Sequence, residues 1–214
     1  MWTVQLINES KKVSYSSHHD LENLLLYVCN TQKTYSDSIR PNPSFQGPYI
    51  CCSPSPFPGW YLTDSSVALQ QMQWNHQVHP EKSGNLAKHR VVSFDPNSMV
   101  LPQDLVSLGQ RIISFYASIG YITLYAVHAD HVNPHLHIVV DGISFQNGTR
   151  FHIPLELRIL QQIVQKWSDQ FDAQLLRFEK QRQARERILF GKPRYESIPL
   201  SCAAQIKTNK AMHY

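Results

Sequence analysis

The segment HADHVNPHLHIVV, residues 128–140, concentrates imidazoles to a degree that its neighbours do not. In an extended strand, side chains alternate between the two faces, so His135 and His137 point the same way with Val139 next in line. Leu136, Ile138 and Val140 then form the opposite, apolar face. His128 ends the preceding apolar run, YITLYAVH, and if the two runs pair across ADHVNP it comes to lie beside His135 and His137. Three imidazoles converging from adjacent strands make a divalent-metal site with open coordination positions. Asp130, two residues after His128, is placed to orient one of those imidazoles or to touch the metal itself. Such a site serves hydrolysis, oxygen chemistry or phosphoryl transfer equally well, and imidazoles alone do not choose among them.

The elements that must position this cluster can be read from periodicity. TVQLI opens the chain as a short strand, and DLENLLLYVCN follows as an amphipathic helix capped by Asp20. Residues 36–60 form a proline-rich loop in which PYICC is apolar enough for a strand; a loop of that length inside a domain is more often functional than idle. SSVALQQMQWNHQVH reads as a helix with Val67, Leu69, Met72 and Trp74 toward the core. LAKHRVVSF is a strand ended by Pro96, and PQDLVSLGQRIISFYASIG is a long helix closed by Gly120. After the two histidine-bearing strands, QNG turns the chain into a returning strand, TRFHI. A last helix begins near Pro154 and runs to about residue 189. The short connections late in this order require antiparallel neighbours. The expected fold class is therefore α+β, a central, mostly antiparallel sheet of about five strands with packed helices.

Composition narrows the function classes. Of 214 residues, 42% are apolar and 17% charged, enough for a buried core and too apolar for wholesale disorder. No apolar run is long enough to span a membrane, and the MWTVQLINESKK start lacks the pattern of a signal peptide. Four cysteines without C-x-x-C spacing suit a reduced, cytoplasmic protein. The net charge of +4 is unevenly placed: residues 1–165 carry −1 and residues 166–214 carry +5. The reading is a catalytic core over 1–165, followed by a basic C-terminal helix and tail of the same domain over 166–214. That tail is either a solvated helix with i,i+4 ion pairs or a surface lying along a nucleic-acid backbone.

HADHVNPHLHIVV resembles the H-x-D-x4-H-x-H motif of plasmid mobilisation relaxases of the MobP type, in the superfamily named for its His-hydrophobic-His element, here His135-Leu136-His137. Further segments resemble the family in order. LLLYVCNTQKT (24–34) is similar to its N-terminal segment, although Thr31 stands where the family usually has proline. NLAKHRVVSF (85–94) is similar to its central strand, and SFQNGTRFH (144–152) to the hairpin after the histidine strand. The resemblance implies a site- and strand-specific DNA nickase acting at an origin of transfer. A tyrosine attacks the phosphodiester, leaving a 5′-phosphotyrosyl link and a free 3′-OH, and the same site later rejoins the strand.

By that resemblance Tyr27 is the nucleophile, favoured over Tyr35, and His128, His135 and His137 hold a divalent ion, Mg2+ or Mn2+. Asp130 and His89 join the catalytic group, His89 as a phosphate contact, a proton acceptor or simply a buried strand histidine. Lys33 meets a phosphate. The implied partners are single-stranded or hairpin origin DNA, with accessory mobilisation proteins and a coupling protein. Two other readings share the motif: a rolling-circle replication initiator or single-strand transposase, whose tyrosine generally follows the histidine strand, and a catalytically inactive DNA-binding relative. The loop at 40–60 is expected to close over DNA.

Overall fold

A computed structural model describes residues 1–30, 33–34, 50–53, 65–80, 84–129 and 133–190. In chain order the elements are β1 (Trp2–Leu6), α1 (Ile7–Ser10), α2 (His18–Val28), β2 (Ile50–Ser53), α3 (Ser65–Val78) and β3 (Ala87–Phe94). They continue with α4 (Pro102–Ser118), β4 (Tyr121–His128), β5 (His135–Ser144) and α5 (Glu156–Phe190). The fold is α+β with an antiparallel sheet, as expected. Its strand order is β1-β3-β5-β4-β2, so the histidine strand β5 is central, between β3 and β4. The chain divides into two units, Met1–Gln165 and Lys166–Tyr214.

Each face of the sheet is covered by helices whose apolar spacing fits it. On the face shared by His135, His137 and Val139, α2 buries Leu21, Leu24, Leu25 and Val28, the i, i+3, i+4, i+7 stripe of an amphipathic helix. These pack with Ala68 and Met72 of α3 and with Ala87, Ile122, Leu124, Ala126 and Val139 of the sheet. On the other face α4 packs against β4 and β5 with Leu105, Leu108, Ile112 and Tyr116 buried. Gly109 lets α4 approach closely there: a Cβ at that position would fall 2.6 Å from the Tyr125 ring.

That second face also holds a closed polar cluster. Arg90 is fully buried and donates from Nε and Nη2 to the two oxygens of Glu156, each at 2.8 Å. Tyr116 donates to Glu156 at 2.6 Å, and Glu9 and Asn8 accept from Arg90 Nη1. A buried guanidinium is tolerable only when its donors are met in this way.

Three local expectations need correction. Asp20 is not the N-cap of α2: Ser17 is, accepting from the Asp20 amide while the Asp20 carboxylate accepts from the Ser17 amide, a reciprocal capping box. TRFHI does not form a strand. After the turn one isolated bridge, Ile143 to Arg150, and the backbone bonds Ser144 N to Thr149 O and Phe151 N to Gly142 O tie it back. In α3 the buried face is Ala68, Gln71, Met72, Asn75 and His76, whereas Trp74 is exposed. Asn75 and His76 point inward because a buried carboxylate in β5, Asp141, takes hydrogen bonds from them. PYICC does contribute a strand, β2, at the sheet edge beside β4. The rest of the proline-rich loop, Tyr35, Asp130 and the tail beyond Phe190 lie outside the described residues.

Candidate active site

Strand register assembles the imidazoles. In the β4–β5 pair His128 lies opposite His135, and His137 lies opposite Ala126, one pair further in. The two strands are joined by a short connection, so the pairing that the alternation required brings His128 to its partners. The possible ligand nitrogens of His128, His135 and His137 all lie within 4.8 Å of one another. That is slightly wider than two metal–nitrogen bonds of about 2.1 Å laid end to end, so small ring rotations would gather all three around one ion.

Hydrogen bonds select which nitrogen each ring presents. His128 Nε2 donates to the Val28 carbonyl at 2.7 Å, which leaves Nδ1 as the nitrogen with a lone pair. His135 Nδ1 donates to the Asn133 carbonyl at 3.1 Å, leaving Nε2 in the same role. His137 Nδ1 is 2.8 Å from His89 Nε2. The other nitrogen, His137 Nε2, is buried with no hydrogen-bond partner among the described residues. An orphaned buried polar atom is costly, and here the orphan belongs to the central ring of the cluster. Burial, then the neighbouring His128, His89 and His135 and Lys33, holds His137 far below the ordinary imidazole range. His89 is pushed down to about 4, by burial first and then by Arg90, Lys11 and His128. Both rings are therefore neutral at neutral pH. That is the state in which imidazole binds a metal, so the residues fit such an ion.

His89 is not placed to meet a phosphate or an attacking tyrosine. It is buried in β3, and its second nitrogen, Nδ1, is 3.3 Å from the Tyr15 hydroxyl. With both nitrogens engaged it stands behind His137 and holds that ring's Nδ1. Sequence reasoning missed this chain's outer members, Tyr15 and Asn8, whose Oδ1 accepts from the His89 amide at 2.7 Å. Neither carries a local signal, because each reaches the strand from far away in the chain.

Among the described residues, Tyr27 meets the cluster. It lies on α2 beside the buried stripe, 46% exposed, and its ring meets His137 edge-on with centroids 5.5 Å apart and His128 at 5.9 Å. It is thus neither a core aromatic nor remote from the histidines. Lys33 Nζ stands 4.8 Å from the centre of its ring. The backbone just after the helix is stitched to the end of β4: Ala129 N donates to Lys33 O, and Thr34 bridges His128.

An exposed tyrosine beside three clustered histidines, on an antiparallel α+β sheet, is the arrangement of a histidine-cluster nuclease domain. More specifically, the chain belongs to the relaxase family: residues 57–173, more than half of it, match the nuclease domain described as MobA/VirD2-like. That match covers the three histidines and His89 and begins after Tyr27. The Group II intron-interrupted relaxase LtrB of Lactococcus lactis subsp. cremoris (strain MG1363) is 21% identical over 155 residues, covering 67% of this chain and 27% of the relative. A second such relaxase from Lactococcus lactis subsp. cremoris gives the same figures. The chain thus spans about a quarter of the length of the curated relatives it matches. No solved structure matches it. Among the described residues no helix is long and apolar enough to cross a membrane.

Proposed function

We propose that the domain nicks and rejoins single-stranded DNA at an origin of transfer, with Tyr27 as nucleophile and His128, His135 and His137 as ligands of a divalent ion, Mg2+ or Mn2+. The observation that carries this reading is the edge-on contact of an exposed Tyr27 with His137 and His128 in a relaxase nuclease domain. The ion would supply positive charge to the scissile phosphate, which otherwise repels an anionic nucleophile. Tyr27 Oη forms a bond to phosphorus while the bond from phosphorus to the 3′ oxygen breaks. That oxygen takes up a proton and leaves as the 3′-OH; reversal of the same exchange rejoins the strand. His89 holds His137 with Nε2 toward the ion, and Lys33 adds a second cation beside the tyrosine for the substrate backbone.

Asp130 belongs to the same proposal as a partner of one imidazole. Residues 166–214 are read as a basic extension of the domain that adds salt-sensitive affinity for DNA. Hairpin DNA, accessory mobilisation proteins, a coupling protein and a cytoplasmic setting complete the proposed context.

The test is incubation with a pool of random-sequence single-stranded oligonucleotides and Mg2+ or Mn2+, followed by denaturing electrophoresis. A covalent protein–DNA adduct that disappears in Tyr27→Phe and persists in Tyr35→Phe supports the reading. An adduct retained in Tyr27→Phe moves the nucleophile elsewhere. Tight binding without an adduct in the wild-type protein identifies a DNA-binding relative that does not cut.

A further inference from the structure

A second histidine system lies on the same face of the sheet. Asp141 is four residues beyond His137 on β5, fully buried, and its carboxylate is completely engaged. Oδ1 accepts from His76 Nε2 at 2.7 Å and from the Ile143 amide at 3.0 Å, and Oδ2 accepts from Asn75 Nδ2 at 2.9 Å. A carboxylate in that position makes His76 Nε2 a donor, so His76 Nδ1 is left to accept. Its partner is His18 Nε2, 3.3 Å away, in the first turn of α2. The rings are within 8° of parallel with centroids 5.5 Å apart. Since the nitrogens are so much closer than the centroids, the rings meet end to end, as a hydrogen bond requires, rather than face to face.

The geometry connects this system to the tyrosine. Nine residues separate His18 from Tyr27, about 13.5 Å along a helix, and four separate Asp141 from His137, about 13.5 Å along a strand. Helix and strand therefore match in length: Tyr27 sits at the imidazole cluster while His18 is tied at the Asp141 end. Nine residues are also two and a half turns, so His18 and Tyr27 project from opposite sides of the helix axis. The Leu21, Leu24, Leu25 and Val28 stripe that holds α2 down is apolar contact, which has no directional preference. Rolling the helix about that stripe toward or away from α3 would lower or lift Tyr27 over the histidines. Among the described residues, a directional tie from α2 itself against such a roll, at the end away from the cluster, is His18 to His76 to Asp141.

We propose that His18 and His76, anchored by Asp141, are positioning residues that fix the axial rotation of α2 and hence the aim of Tyr27. The inference rests on the reading of Tyr27 as nucleophile. It makes the domain's reactivity depend on a pair of imidazoles outside the three-histidine cluster.

The full chain is compared as wild type, His18→Ala and His18→Gln; His18 is exposed, and Gln can still donate to His76 Nδ1. The readouts are the rate of adduct formation at saturating oligonucleotide, the half-saturating oligonucleotide concentration, Mn2+ affinity, the urea midpoint and amide hydrogen exchange of α2. In His18→Ala the saturated rate should fall about tenfold, short of the hundredfold that a full ångström of misplacement can cost. Exchange in α2 should rise, while half-saturation, Mn2+ affinity and the urea midpoint stay at wild-type values. His18→Gln should recover most of the rate. A wild-type rate in His18→Ala overturns the proposal. So does a loss matched by lower Mn2+ affinity or a lower urea midpoint, which marks a merely structural contact. If the wild type forms no adduct, or Tyr27→Phe keeps one, the nucleophile reading has failed instead. Helix positioning is then judged by exchange alone, and unchanged exchange in α2 overturns it.

Discussion

The two ends of one sheet face use the same side chain in opposite ways. Around Asp141 the carboxylate takes three donors, and His76 is bonded at both nitrogens. Around His137 the bonding stops one short, and Nε2 has no partner among the described residues. Leaving a buried polar atom unmet costs about 1–3 kcal/mol. A fold that completes one histidine system and leaves the other open, on strand positions four residues apart, separates a tie from a receptor. The proposed metal site falls at the incomplete end.

The largest expected effect breaks that contrast at the incomplete end. His135→Ala combined with His137→Ala should lower adduct formation on the order of a thousandfold while sparing DNA binding. Wild-type cleavage in the double variant, read on a denaturing gel, removes the histidine site.

Next comes a reciprocal pair read by urea unfolding of metal-free protein. Asp141→Leu should destabilise by about 3 kcal/mol, because three buried donors lose their acceptor. His137→Leu should cost less, about 1 kcal/mol, since it removes one orphaned nitrogen and leaves one other, His89 Nε2, in its place. Equal losses in the two variants would erase the distinction between the ends.

The pH dependence sharpens it further. The folded pKa of His89 is depressed to about 4, and that of His137 is depressed as well. Their stabilisation is therefore fully present above the unfolded value of about 6.5 and is lost as pH falls toward 4, where the unfolded chain holds protons that the fold does not. Metal-free protein should lose stability over that window, and His89→Gln should make the slope about one proton shallower. An unchanged slope would mean that His89 titrates normally.

The smallest effect lies in α5. Lys180→Gln with Arg185→Gln, both exposed, should reduce the salt slope of DNA binding by about 1.5 and leave the saturated rate alone. A changed rate would bring α5 into the chemistry.

Much of the incomplete end was legible in the sequence and little of the complete one. The two-residue alternation of His135 and His137, and the short connection back to His128, dictate the cluster because they are local constraints. Tyr27 was legible only through the resemblance of LLLYVCNTQKT to the relaxase N-terminal segment. The Tyr15–His89–His137 and His18–His76–Asp141 chains were not legible, because each joins residues tens of positions apart through a register fixed only when the sheet forms. Asn75 and His76 even misdirect a reading of α3: on apolar periodicity alone they belong outside and Trp74 inside. A buried carboxylate in β5 reverses that assignment. Arg90 and Glu156 were silent for the same reason, since a charge gives no sign in sequence that its partner is buried with it.

The hydrogen bond from His128 to the carbonyl of Val28 joins two equilibria. One nitrogen of that ring faces the proposed ion, and the other holds the backbone of the residue directly after Tyr27. An occupant that favours the ring's present orientation thereby favours the seated helix, and by thermodynamic reciprocity anything that seats the helix tightens the occupant's grip to the same degree. DNA pressing on α2 and an ion among the imidazoles would then bind as cooperative ligands of one domain, each arriving at a site that the other has already set.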